Sequence, residues 1–452
     1  MEIELLLTQL RERRVRLWAD ETSRLRVDAP KGVLTPELQE ALRERKVELI
    51  ELLKTATPSS NEWARDVGLP EDFRVANSSL GREPQGVLLT GATGFLGKYL
   101  LRELLCQTSL KIFCLVRPTG EERVEKELRK SKVWEESFAS RLKVIEADLA
   151  EPSFGFSQEI YHELIRKVDL VFHNGAQVHH GLPYASLRDA NVGGTLALLE
   201  LAAAARASFH FVSSLSVLPS MTSGVAGRFF ESDPLEKVSP PRGGYNLTKW
   251  VAERLVEQAG GLGMETVIYR PGPISGDSVT GEFNRQDFLC RLVQGYVASG
   301  SAPSGKTLLD LLPVDFTARS MVWLATRSSL RGEGLRRYHL LHSKPASSEL
   351  LFDACARAGF KIQRVPYQDW FRTLTEVAGA GQRDHPLYPL AGLFSSRGEE
   401  AQKRPEKAKE VPYDSRETEA ALREAPFALP ALDEALFDRY LIAMIRQGGV
   451  VK

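Results

Sequence analysis

Cysteine is scarce: Cys106, Cys114, Cys290 and Cys355 form no CxxC pair and no zinc-like grouping. A disulfide-stapled scaffold is excluded, and scattered reduced thiols fit a cytosolic protein. No apolar run reaches the roughly 18 residues that span a bilayer. The opening MEIELLLTQLRERR puts acids ahead of its apolar residues, where a secretory signal carries a basic stretch. The expectation is a cytoplasmic protein with no membrane segment. Neither sign of charge prevails: 59 Lys and Arg balance 59 Asp and Glu, so no global field draws the chain to nucleic acid or an anionic surface. The 35 glycines and 24 prolines show no collagen-like or linker-like excess. What is present is a globular composition, 43% hydrophobic and 26% charged over 452 residues, which allows one large enzyme domain with an appendage or two to three modules.

Three textures follow one another. Ile3, Leu6, Leu7 and Leu10 recur at helical spacing, and Val15 to Trp18 and Leu25 to Val27 alternate as short strands about a polar turn at Asp20 to Ser23. Thr35 then reads as an N-cap with Pro36 at the first helical position, opening a helix through Leu42, Leu49 and Leu53. Residues 1–56 thus make a small α+β unit, whose marginal core suits an adaptor better than an enzyme, and the turn-rich residues 57–61 make a linker. From Gly86 onward apolar strands alternate with amphipathic helices: Val87 to Thr90, Lys111 to Val116, Leu142 to Ala147, Leu170 to His173, Phe209 to Ser213 and Glu265 to Tyr269. Such alternation demands parallel strands with helical crossovers, an α/β doubly wound sheet of Rossmann type over residues 62–330. Residues 331–452 are less ordered in pattern and form the expected smaller C-terminal substrate subdomain, with a solvated charged loop from Arg397 to Glu410.

Gly86-Val-Leu-Leu-Thr-Gly91-Ala-Thr-Gly94-Phe-Leu-Gly97 places three glycines at the first strand-to-helix turn. Small residues there let the backbone approach a pyrophosphate whose charge faces the helix N-terminus. Gly91, Thr93, Gly94, Phe95, Leu96 and Gly97 are therefore the expected cofactor turn. The second strand ends in Arg117, where a site preferring NAD shows an acid, and a guanidinium can fork onto a 2′-phosphate. NADPH is the expected cofactor, the alternative being a surface arginine at a strand end. Asp148 and Leu149 after the third strand, and Asn174 and Ala176 after the fourth, are placed at the cofactor by topology alone.

Phe211-Val-Ser213-Ser214-Leu-Ser216 ends the fifth strand, and Gly244-Tyr245-Asn-Leu-Thr-Lys249 has the YxxxK spacing that stacks phenol and ammonium on one helix face. The lysine charge is expected to favour phenolate and lower the tyrosine pKa. Tyr245 can give a proton to a carbonyl oxygen as hydride arrives, with Ser214 as a second donor to the oxyanion. Adjacent His179 and His180 point in different directions, so no metal is expected.

Together TGATGFLG, the strand-end Ser-Ser, YNLTK and Asn191-Val-Gly-Gly-Thr195 resemble the extended short-chain dehydrogenase/reductase superfamily. Tyr269-Arg-Pro-Gly-Pro-Ile-Ser-Gly-Asp-Ser278, Leu312-Pro-Val-Asp-Phe316 and Leu387-Tyr-Pro-Leu390 are similar to the terminal thioester reductase domains of nonribosomal peptide and polyketide synthases, across roughly residues 62–452. The resemblance implies Ser214, Tyr245 and Lys249 as the catalytic triad, Lys249 also reaching the cofactor, and the glycine turn with Arg117 as the NADPH site. Pro273 departs from the pattern, since relatives often carry a basic residue there. Arg14-Val-Arg-Leu-Trp18 and Ala29-Pro-Lys-Gly-Val-Leu-Thr-Pro36 resemble TubC-type docking domains, which join synthase subunits.

The implied function is reduction of a thioester on the phosphopantetheine arm of a carrier protein to an aldehyde, or on to an alcohol. No Ser-bearing carrier motif lies between the two units, so the carrier is expected in trans, from an upstream synthase subunit captured by residues 1–56. Two other readings remain open. One is a free-standing fatty acyl or carboxylate reductase, or a nucleotide-sugar epimerase or dehydrogenase. The other is a non-redox adaptor or cyclising relative.

Overall fold

The computed structural model describes residues 6, 10, 15–19, 25–29, 33–46, 48–49, 63–75, 84–118, 121–130, 135–179, 182–219, 228–285, 287–305, 307–327, 332, 334–379 and 413–450. The linker at 57–61, the Leu387 to Leu390 motif, the charged run from Arg397 to Glu410, and His180 lie outside the described residues.

In the N-terminal unit, β1 (Arg16–Ala19) and β2 (Leu25–Asp28) pair as an antiparallel hairpin with Leu17 opposite Val27. Helix α1 (Pro36–Glu44) starts as expected, with the Leu38 N–H donating to Thr35 Oγ1. Leu6, Leu10, Val15, Leu38, Leu42 and Leu49 close over one another as its small core.

The main sheet contains β3 (Gly86–Thr90), β4 (Lys111–Val116), β5 (Leu142–Glu146), β6 (Leu170–His173), β7 (Ser208–Val212), β8 (Thr266–Pro271) and β9 (Leu335–Leu340). Every pairing is parallel, and the strands lie in the order β9-β8-β7-β6-β3-β4-β5. Alternate side chains feed two separate cores. Leu88, Phe113, Phe209 and Phe211 face one side, while Val87, Leu89, Ile112, Cys114 and Val212 face the other. Both faces are dry around the inner strands, which is why β3, β4 and β6 read as apolar runs. Helices α2 (Phe95–Gln107) and α7 (Val314–Thr326) cover one face. On the other lie α3 (Gln158–Lys167), α4 (Gly194–Ala205) and α5 (Gly244–Gly261). The direction of winding reverses between β3 and β6, so a crevice opens beyond their C-terminal ends.

The boundary expected at residue 330 falls just before the last strand of the sheet, because the chain returns to pair β9 with β8. A satellite core combines α6 (Phe288–Ser299), α8 (Glu349–Arg357) and α11 (Glu434–Arg446) through Cys290, Val293, Leu351, Phe437 and Tyr440. Helix α9 (Tyr367–Gly379) packs its buried Trp370 and Leu374 beside Leu292 and Tyr296 of α6. Just before α10 (Arg416–Ala421), Tyr413 bridges to Phe229, so this late segment lies against the sheet domain. The clamp is Glu231, 1% exposed, which accepts from the His339 N–H at 2.9 Å, the Glu417 N–H at 2.8 Å, and both the N–H and the hydroxyl of Thr418.

Glu231→Ala orphans these buried donors together, and we expect a loss of about 2–3 kcal/mol. Urea unfolding checks this; an unchanged midpoint would show that the clamp contributes nothing.

Candidate active site

The glycine turn sits at the switch point between β3 and β6. Gly91 has φ +72°, in the left-handed region, and a Cβ on Gly97 would stand 1.8 Å from the Gly91 carbonyl oxygen, so the turn closes because both side chains are absent. Gly94 caps α2 with no side-chain hydrogen bond and is exposed, which leaves the first-turn N–H groups of the helix to an outside acceptor. A pyrophosphate fits this cradle in charge and in close approach. Thr93 and Phe95 are half-buried beside it, and Leu96 is buried beneath.

The remaining expected cofactor residues are distributed around the same crevice. Asn174 Nδ2 donates to the Gly91 carbonyl at 3.3 Å, so this amide braces the turn itself. Arg117 is exposed at the end of β4, and no carboxylate among the described residues pairs with it. Asp148 Oδ1 accepts from the Ala150 N–H at 3.0 Å, shaping the loop after β5, while Leu149 closes against Gly175 and Gly194. Ala176 is half-buried in the loop after β6.

At the end of β7 the two serines part. Ser213 is buried and donates to Glu253. Ser214 is partly exposed and caps a short 3-10 turn, Leu215–Val217, its Oγ accepting from the Ser216 N–H at 3.1 Å. That bond uses an acceptor lone pair and leaves the hydroxyl hydrogen available. Tyr245 lies in the first turn of α5, brought close to the 182–184 loop by Gly244, where a Cβ would meet the Leu182 carbonyl at 2.2 Å. Lys249, 4% exposed, follows one turn later. Its Nζ donates to the Val212 carbonyl at 2.6 Å and lies 4.5 Å from the centre of the Phe211 ring.

The electrostatics depart from expectation at Tyr245. Its pKa is not lowered; burial pushes it up to about 12, while the Lys249 ammonium donates to the Val212 carbonyl beside the Phe211 ring. Burial draws Lys249 down to about 7, with Glu253 opposing that fall. The phenol is therefore protonated at neutral pH, as a proton donor must be.

Hydrogen-bond chains that the motifs did not reveal join these parts. The Gly175 N–H donates to Thr90 Oγ1 at 2.8 Å, and Thr90 Oγ1 lies 2.8 Å from His173 Nδ1. His173 Nε2 lies 3.0 Å from Thr195 Oγ1, which donates to the Asn191 carbonyl at 2.6 Å. The Asn191 amide in turn donates to Thr248 Oγ1 at 3.0 Å, and Thr248 to the Tyr245 carbonyl at 2.8 Å. Asn191 lies in a π-helical turn, Asp189–Gly193, that brings its amide onto α5. A second buried group, Glu253 with Arg270 and His339, lies behind Lys249. The Lys-to-Glu interval of four on α5 was a legible signal for Glu253; His339 had none. Exposed His179 belongs to no metal-holding cluster, and none is formed among the described residues.

An open parallel sheet with a glycine turn at its switch point defines a Rossmann-type dinucleotide-binding oxidoreductase. Residues 89–321 match the NAD-binding family described as Male sterility protein, and residues 3–55 match the TubC N-terminal docking domain. The terminal R domain of the myxalamid PKS-NRPS biosynthetic pathway is 34% identical, with a TM-score of 0.75 over 86% of this chain and 98% of that one. The R domain of a nonribosomal peptide synthetase from Mycobacterium tuberculosis is 27% identical, with a TM-score of 0.67 over 88% of this chain and 98% of that one. One of the linear gramicidin synthase polypeptides of Brevibacillus parabrevis is 34% identical over 88% of this chain, and L-2-aminoadipate reductase of Saccharomyces cerevisiae 33% identical over 79%. The chain spans 8% and 26% of the length of these two relatives. It belongs to the family of reductase domains of nonribosomal peptide synthetases, with a docking-domain match at its N-terminal unit. Among the described residues no helix is long and apolar enough to cross a membrane.

Gly97→Ala cannot keep the turn, and we expect reduced dinucleotide to bind at least about tenfold more weakly in a folded protein. Fluorescence titration beside a thermal melt checks this; unaltered affinity would place the dinucleotide elsewhere.

Proposed function

We propose that this chain releases a carrier-bound peptidyl or polyketidyl chain by reducing its thioester to an aldehyde, with NADPH as reductant. The observation that carries this reading is the half-buried Tyr245 one turn from Lys249 on α5, beside the strand end that bears Ser214. The dinucleotide, when bound at the glycine turn, supplies a hydride. Ser214 donates its hydroxyl hydrogen to the carbonyl oxygen as negative charge develops there, and Tyr245 transfers its proton to that oxygen. Lys249 carries its positive charge one helical turn from the phenol and so stabilises the tyrosinate left behind. The resulting hemithioacetal collapses, expelling the carrier thiol and leaving the aldehyde, so one thioester and one hydride equivalent with a proton give aldehyde and thiol.

Arg117 supports NADPH over NADH, because an exposed guanidinium without a carboxylate partner is available to a 2′-phosphate. Residues 1–56 deliver the carrier in trans, residues 62–330 hold the cofactor and residues 331–452 shape the acyl site. The docking-domain match supports delivery. The basic residues of the hairpin, Arg13, Arg14, Arg16, Arg24 and Arg26, suit an acidic tail on the partner, although their side chains lie outside the described residues.

Supplying a carrier-bound acyl chain with NADPH should yield free thiol and aldehyde by mass spectrometry, and NADH should serve poorly. Equal use of both cofactors would sink the role of Arg117. Tyr245→Phe should lose roughly 10²- to 10⁴-fold in kcat/KM with dinucleotide binding retained; near-normal turnover would mean another proton donor. Wild-type kcat/KM should fall as pH rises through about 7, where free Lys249 loses its proton. Deleting residues 1–56 should slow reduction of the carrier-bound chain but spare a small soluble thioester.

A further inference from the structure

Behind the candidate site lies a buried carboxylate that the chemistry above does not use. Glu253 stands one helical turn after Lys249 on α5, is 0% exposed, and receives groups from two strands. From the end of β7 the Ser213 hydroxyl donates to Oε2. From β8, Arg270 Nε donates to Oε1 at 2.8 Å, and this guanidinium is itself fully buried. Arg270 Nη1 lies 3.0 Å from His339 Nε2 on β9, and His339 Nδ1 lies 2.7 Å from the Asp414 carbonyl oxygen. A guanidinium only donates and a backbone carbonyl only accepts, so the imidazole carries one proton, on Nδ1. Burial first, and Arg270 second, hold His339 down to about 3, so it orients Arg270 without adding charge.

The ionisable groups around this pair can be named. Tyr245 and Glu253 on α5 and the neutral His173 on β6 adjoin Lys249, with the Val212 carbonyl and Phe211 ring on β7. Beyond Glu253 lie Arg270 and, 3.9 Å from it, Glu257, which pairs with Arg337 at 2.7 Å and Arg254 at 3.3 Å. Among the described residues Glu253 is the anion that acts on Lys249.

We propose that Glu253 is a positioning residue: its buried carboxylate, one helical turn from Lys249, favours the charged form of that side chain and ties the Ser213–Ser214 strand end to the helix that carries Tyr245, with Arg270 and His339 holding it in place. The kinetic consequence rests on the reading of Tyr245, Lys249 and Ser214 as the reducing site; the electrostatic one does not. Neutralising Glu253 removes the charge that opposes the effect of burial on Lys249, so the lysine sheds its proton at lower pH. The anchor at Asp414 also makes this charge arrangement depend on the late segment that packs against the sheet.

The test uses the full chain labelled with ¹⁵N-lysine. The Lys249 side-chain nitrogen, assigned by its loss in Lys249→Met, is titrated by NMR without cofactor or substrate. The wild-type midpoint is expected near about 7, and in Glu253→Gln it falls by about one pH unit or more. The alkaline limb of kcat/KM on a small thioester moves by the same amount, and Glu253→Asp takes an intermediate midpoint and restores part of the turnover. A purely structural role would lower stability without moving either midpoint or limb. An unchanged Lys249 midpoint in folded Glu253→Gln overturns the proposal; where that variant does not fold, an unchanged midpoint in Glu253→Asp does so. A lowered midpoint in a protein that reduces no thioester upholds the role of Glu253 and sinks the catalytic reading instead.

Discussion

The structure depends on one constraint: a parallel sheet covered by helices on both faces has no water within it. Polar groups among its strands therefore depend on protein partners, and two chains of them run toward the C-terminal strand ends. Thr90, His173 and Thr195 cross from β3 through β6 to α4. Ser213, Glu253, Arg270 and His339 cross from β7 through α5 and β8 to β9. Unpaired, any of these groups would be strongly unfavourable. Paired, they hold the glycine turn and the Tyr245 helix in a fixed relation.

The same dryness sets the chemistry. Burial raises Tyr245 to about 12 and lowers Lys249 to about 7, so proximity alone does not make the phenol acidic. A lysine so displaced titrates in the physiological range. Its unfolded form retains the proton up to the ordinary lysine value, so between about 7 and about 10 the unfolded chain binds more protons. Stability tied to Lys249 thus rises with pH across that window.

The C-terminal third is built into the sheet domain. It lends β9 to the sheet, its satellite core shares α6, and Glu231 and His339 seat residues 413–421 on the sheet domain. The N-terminal unit has a core of its own instead, closed by short leucine-rich helical pieces and a hairpin.

Local pattern was enough for much of this. The six strands from Val87 to Tyr269, the Thr35 cap, the glycine turn and the Tyr245–Lys249 spacing are all legible in the sequence, since each rests on neighbours within a few residues. The seventh strand, Leu335–Leu340, escaped because Arg336 and Arg337 break its apolar run; their partners Glu265 and Glu257 are remote in sequence. That Ser213 turns inward while Ser214 faces the cleft is decided by Glu253, and the sign of the Tyr245 shift by burial. Spacing can put a lysine one turn from a tyrosine. Where its ammonium points, and how much water surrounds it, was decided by the tertiary structure, because desolvation depends on every element packed around the group.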